Sequence, residues 1–174
     1  MGSGHTLLTL ASFMLLSSVM VSFYDLTANA GDAIGSGQDG IFLSTLTTSY
    51  IEMAQGMAFD EITDTMHVGL TNIYTLTSPT LLGREWGEDT LTQFNDFDDF
   101  NGYALDKEAG TSNRRYRTQF TVSYVDMTDL EKVMNSRTFV KRLDMKTWRT
   151  YPVSSEGHVD TLRASFVMGY FHFD

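Results

Sequence analysis

Between residues 95 and 102 the chain reads Asn95-Asp96-Phe97-Asp98-Asp99-Phe100-Asn101-Gly102. Carboxylate and amide oxygens packed this densely before a glycine are hard ligands of the kind calcium takes. The EF-hand pattern needs ligands at positions 1, 3 and 5 with glycine at 6. With Gly102 at position 6, position 1 falls on Phe97, and the pattern fails. One reading is an irregular calcium loop drawing on Asp96, Asp98, Asp99 and Asn101. The other, which asks less of the sequence, is an acidic turn anchored by Phe94, Phe97 and Phe100 facing inward.

Little else in the chain has the spacing of reactive chemistry. His5, His67, His158 and His172 are scattered, with no metal-ligand interval between them. Cysteine is absent, so thiolate metal sites and disulfides are excluded. There is no nucleophile motif and no glycine-rich phosphate loop. The acids at 96–99 could pair for acid–base work, but the sequence offers them no partner. The expectation is a protein that is not an enzyme and needs no cofactor, calcium being the one alternative. A net charge of −10 argues against nucleic acid, because a phosphate binder needs a basic surface.

The elements that must position these residues begin with the run at 6–26, TLLTLASFMLLSSVMVSFYDL. It carries no charge before Asp25, and as a helix it would be about 31 Å long, matching a bilayer's hydrocarbon core. Leu7, Leu8, Leu10, Phe13, Leu15, Leu16, Val19, Val21 and Phe23 are its large apolar side chains. Ser12, Ser17, Ser18 and Ser22 are interleaved; small residues let helices approach closely, and hydroxyls can bond back to the helix's own carbonyls. All twelve basic residues lie between Arg84 and Arg163, so the usual cationic flank of a membrane anchor is missing. Ala28-Asn29-Ala30 before Gly31 resembles a signal-peptide cleavage site. Residues 1–5 hold no basic side chain, however, and the apolar run is longer than a usual signal core. We therefore expect the segment to be retained.

These residues resemble the N-terminus of type IV pilins and their pseudopilin relatives. Gly4-His5-Thr6-Leu7-Leu8-Thr9-Leu10 is similar to that family's processing motif of glycine, aromatic and Thr-Leu-Ile-Glu-Leu. Residues 49–60, SYIEMAQGMAFD, are similar to the later stalk of pilin-like proteins. The resemblance covers about the first 60 residues and implies a homopolymeric surface filament. It implies insertion in the inner membrane beforehand, cleavage by a prepilin peptidase with methylation of the new amine, and a pilus assembly machinery as partner. The family's glutamate at the fifth mature position helps register the next subunit. Here Thr9 stands at that place if Gly4 is the cleavage glycine, and His5 if Met1 is the first mature residue. Neither is a carboxylate.

After residues 1–30, residues 31–40 (GDAIGSGQDG) place glycine at 31, 35, 37 and 40. Each glycine costs a helix roughly 1 kcal/mol relative to alanine, so Gly31, Gly35, Gly37 and Gly40 predict a flexible or melted segment. Residues 41–58 turn helical again, with Leu43, Leu46, Tyr50, Met53 and Met57 recurring at intervals of three and four. That face is expected to dock on a sheet, with Phe59 in the core.

Residues 59–174 read as a β-rich head with long loops. Residues 66–76 could hold a short strand, and 81–94 supply isolated apolar anchors, including Trp86. Alternation at 116–126 puts Phe120, Val122 and Tyr124 on one face. Residues 129–134 read as a short helical turn. Residues 138–150 alternate again, Leu143, Met145, Thr147 and Arg149 opposing Val140 and Arg142. A turn follows at 152–157, then a third strand at 159–173. Three linked strands predict an antiparallel meander. The fold expected is α+β: a long N-terminal helical stalk packed on a C-terminal antiparallel sheet. Two functions fit, a pilus-like filament subunit or a membrane-anchored pseudopilin or surface adhesion module with calcium dependence.

Overall fold

The structure is a computed structural model. It describes residues 3–65, 70–110, 113–152 and 161–171. The chain divides into two compact units, Met1–Ile41 and Phe42–Asp174.

Helix α1 runs over Ser3–Gln55 without a break. This corrects the expectation of a non-helical segment at Gly31, Gly35, Gly37 and Gly40. The physical reason lies in the helix ends. Breaking the helix would create two new termini, each leaving four backbone groups without partners, and would require a second nucleation. With no proline in the stretch, glycine's loss of about 1 kcal/mol per residue does not outweigh that.

In the second unit, residues 42–55 of α1 face a sheet of four antiparallel strands in sequential order. The strands are β1 (Ala104–Glu108), β2 (Arg115–Tyr124), β3 (Val140–Tyr151) and β4 (Thr161–Gly169). The strict alternation of β2 buries Tyr116, Thr118, Phe120, Val122 and Tyr124. Register carries this across the sheet: Phe120 pairs with Met145 and Met145 with Ala164, while Val122 pairs with Leu143 and Leu143 with Phe166. Side chains directly opposed on one face pack as a unit, and here they make the floor of the core. Tyr50 and Ala54 of α1 sit on that floor, the Tyr50 ring meeting Phe120 edge-on at 5.2 Å. Met53, expected on the docking face, is exposed instead. Ala54 and Thr47 take the buried positions, because the small side chain lets the helix backbone come close.

Further expectations are corrected. β1 was not anticipated; of its residues ALDKE only Leu105 turns inward, so it lacks a strand's apolar signature. It is an edge strand, charged as edges commonly are. Its Asp106 takes two bonds from the Arg117 guanidinium at 3.0 Å, and Glu108 takes one from Arg115. Trp86 is no anchor: it is fully exposed, at 102%. At 129–134 there is a turn and an isolated bridge from Val125 to Val133, not a helix. Residues 73–75 form a 3-10 turn rather than a strand, and 66–69 lie outside the described residues, as does the expected turn at 153–157.

Candidate functional site

Two features stand out, an uncovered apolar helix in the first unit and a buried charge cluster in the second. In the helix, Leu7, Leu8, Leu10, Phe13, Leu15, Leu16, Val19, Val21 and Phe23 are each 55–69% exposed. At 100° per residue they fall on nearly every side of the helix, so this is not the one-sided stripe of a helix lying on a core. Leu8, Leu15, Leu16 and Val19 line a shallow apolar groove with Ala11 and Ser12. Ser12 donates to the carbonyl of Leu8 at 2.8 Å, and Thr27 to that of Phe23 at 2.8 Å. These hydroxyls are satisfied within the helix, and the outer surface stays apolar. The helix is long and apolar enough to cross a membrane.

Of the three positions linked to registration, Met1 lies outside the described residues. His5 is exposed on the first turns. Thr9 donates to Thr6 O at 2.9 Å, an ordinary back-bond.

The charge cluster is assembled by the chain leaving α1. Ala58 and Asp96 form a bridge, Ala58 N donating to Asn95 O and Phe97 N to Ala58 O. This pins the 94–100 loop beneath the helix end. Phe94, Phe97 and Phe100 are buried as expected, Phe94 meeting Phe100 edge-on at 5.3 Å. The anchoring of the acidic turn by aromatics is therefore observed.

The turn brings Asp98 to Lys141, which occupies an inward position of β3 and is 0% exposed. Lys141 Nζ donates to Asp98 Oδ1, to Asp60 Oδ2 at 2.8 Å and to Phe59 O at 2.8 Å. All three ammonium protons have partners, and the charge lies over the rings of Phe59 and Tyr124. Asp60 also accepts from Thr77 N at 3.0 Å and Thr77 Oγ1 at 3.1 Å, while Tyr124 donates to Thr77 O at 2.7 Å. A buried cation is tolerated only with this degree of pairing. Burial raises the Asp98 carboxyl, opposed chiefly by Lys141. Burial likewise raises the Tyr124 hydroxyl, with Asp60 and Asp98 adding to it. The cluster joins the helix exit, the 77 loop, the acidic turn and β3 in one knot. Its ammonium and carboxylates are all withdrawn from solvent.

Asp60 and Lys141 were missed by sequence reasoning. The signal for Lys141 was its parity with Leu143, Met145 and Thr147, which places it inward. Nothing local marks Asp60 as its partner, 81 residues away.

The four residues of the sequence-derived calcium reading are not equivalent. Asp98 is committed to Lys141. Asn101 spends both ends of its amide, donating to Leu82 O and accepting from Val122 N, each at 2.9 Å. Asp96 Oδ1 accepts from Asp98 N at 2.9 Å, while its Oδ2 is buried without a partner. Asp99 faces a different loop and meets Glu85 and Glu88. Burial raises the Asp99 carboxyl, and proximity to Glu88 adds to the shift. The Glu85 carboxyl is pushed up to about 8 by burial, then by contact with Glu88 and Asp99. That of Asp96 also reaches about 8, through burial and the charges of Asp98 and Asp99.

No protein-family model, curated protein or solved structure matches this chain. Its likeness to a pilin is one of general plan, a long N-terminal helix with residues 42–55 packed on an antiparallel sheet.

Proposed function

We propose that the protein is the structural subunit of an extracellular type IV pilus-like filament, with no catalytic role. The observation that supports it is the apolar helix surface at 7–23, uncovered on nearly every side. Burying one large apolar side chain is worth roughly 1.5–3 kcal/mol. The nine named residues therefore supply a driving force far larger than any polar contact between heads. Neighbouring copies of the same helix would cover them, leaving the acidic heads outside. Before assembly the inner membrane would hold the helix. A prepilin peptidase and assembly machinery would then process and extract it, as the N-terminal resemblance implies. With no carboxylate at His5 or Thr9, register between subunits would come from apolar packing rather than an amine–carboxylate pair.

The same helix supports a second reading, because its length also suits permanent residence in lipid as the anchor of a pseudopilin or surface binding module. Deletion of residues 1–30 tests the first reading. The truncated chain is expected to be a soluble monomer; continued polymerisation would overturn it.

A further inference from the structure

We propose that Glu85, Glu88 and Asp99 form a binding site for a divalent cation of the calcium class. The site lies on the 85–88 turn over the acidic loop, apart from the Asp60–Lys141–Asp98 knot. It is independent of whether the N-terminal helix assembles into a filament.

Geometry comes first. One carboxylate oxygen from each of the three residues lies within 4.8 Å of the other two. Calcium bonds oxygen at about 2.3–2.6 Å; an ion at their centre lies within about 2.8 Å of all three, and a small closing of the glutamate side chains brings it to bonding distance. When ionised, three carboxylates at this separation repel one another, and no cation among the described residues is bonded to any of them.

A separate observation points to a ligand. Asp99 is 0% exposed. Its Oδ2 is held by the N–H groups of Asn95 and Asp96, at 3.0 and 3.2 Å. Its Oδ1 is buried and has no hydrogen-bond partner. A buried carboxylate oxygen left unpaired is costly. Here its neighbours are two further carboxylates, which can offer it no proton when ionised. A metal ion satisfies all three together once they are ionised, in place of the proton that Glu85 otherwise retains.

The turn is built to hold its two glutamates. Glu85 N donates to Glu88 Oε2 at 3.0 Å, and Glu88 N to Glu85 O at 3.3 Å. Gly87 takes φ 101° between them, a backbone conformation that favours glycine. An open cavity of about 500 Å³ lies against Glu85, Trp86 and Glu88, so the two glutamates border space open to solvent.

The ligand set decides the metal class. Three carboxylates without nitrogen or sulfur suit a hard cation. Magnesium demands near-ideal octahedral geometry at 2.0–2.1 Å, whereas calcium accepts irregular sites completed by water and carbonyl oxygens.

The test uses the full chain in detergent micelles after treatment with a chelator. Terbium serves as the probe, because Trp86 beside the site can sensitise its emission. Saturable terbium luminescence is expected, displaced by calcium and at least tenfold less effectively by magnesium. Calcium should also raise the melting temperature. Glu85→Gln and Glu88→Gln, on a surface turn, should each weaken calcium binding about tenfold or more. Glu108→Gln, on the exposed edge strand, should leave it unchanged. Absence of saturable binding, equal competition by magnesium, or full binding in the Glu85→Gln/Glu88→Gln double variant would overturn the proposal.

Discussion

At the scale of single residues, the second unit is held by a buried cation. Lys141 bonds Asp60, Asp98 and the Phe59 carbonyl from a position closed to water. Lys141→Met preserves much of the volume and removes the charge, leaving two buried carboxylates facing each other. Breaking a buried pair this way costs about 3–5 kcal/mol, which chemical unfolding of the full chain would register. Arg117→Ala, removing an equally well-formed pair with Asp106 on the exposed edge, should cost about 1 kcal/mol or less. Equal losses from the two variants would contradict the assigned hierarchy. The acids at 85 and 96 give a pH dependence. Their carboxyls sit at about 8 in the folded chain, above the ordinary range of about 4. The folded state thus holds more protons than the unfolded state in between. Stability is full below the ordinary range and declines as pH rises toward 8. Unfolding followed in chelator from about pH 5 to pH 8 should show this fall; a rise would mean that burial of these two carboxyls, with the crowding of their neighbours, does not govern the pH response.

At the scale of elements, the sequence was informative where a period was local. The alternation in β2 marks Phe120, Val122 and Tyr124 correctly, and intervals of three and four place Leu46 and Tyr50 on the sheet. It was uninformative where pairing alone creates the element: β1 has one inward apolar residue and exists because its backbone pairs with β2, from Ala104 opposite Gln119 to Glu108 opposite Arg115. The glycines misled in a different way, since local propensity is overruled by the cost of ending one helix and starting another. In the acidic turn, the aromatics were legible. The split of the acids was not, because it depends on Lys141 and on Glu85 and Glu88, all distant in sequence from the oxygens they meet. The glycines also yield a prediction. A Cβ at Gly31, Gly37 or Gly40 meets nothing within 4 Å, so packing does not require glycine in the single chain. Alanine at each should stabilise α1 by about 1 kcal/mol, read as later thermal loss of far-ultraviolet helical signal. A loss of helix would show that these positions need glycine.

At the scale of the whole molecule, charge and greasiness are segregated along the chain. The first 83 residues carry no lysine or arginine, and every one of the twelve basic side chains follows. The uncovered helix has no polar face with which to lie at a lipid–water interface, and the proposed function encloses it, in hydrocarbon first and then among copies of itself. Phe13→Glu, in the middle of the run, puts a charge where either enclosure would exclude it, and assembly should fail while the unit beginning at Phe42 keeps its melting transition. Direct imaging separates the two enclosures. Full-length protein, purified and freed of detergent, should appear in negative stain as long fibres of uniform width. Discrete particles under those conditions, or fibres that form equally well from chains lacking residues 1–30, would contradict the account.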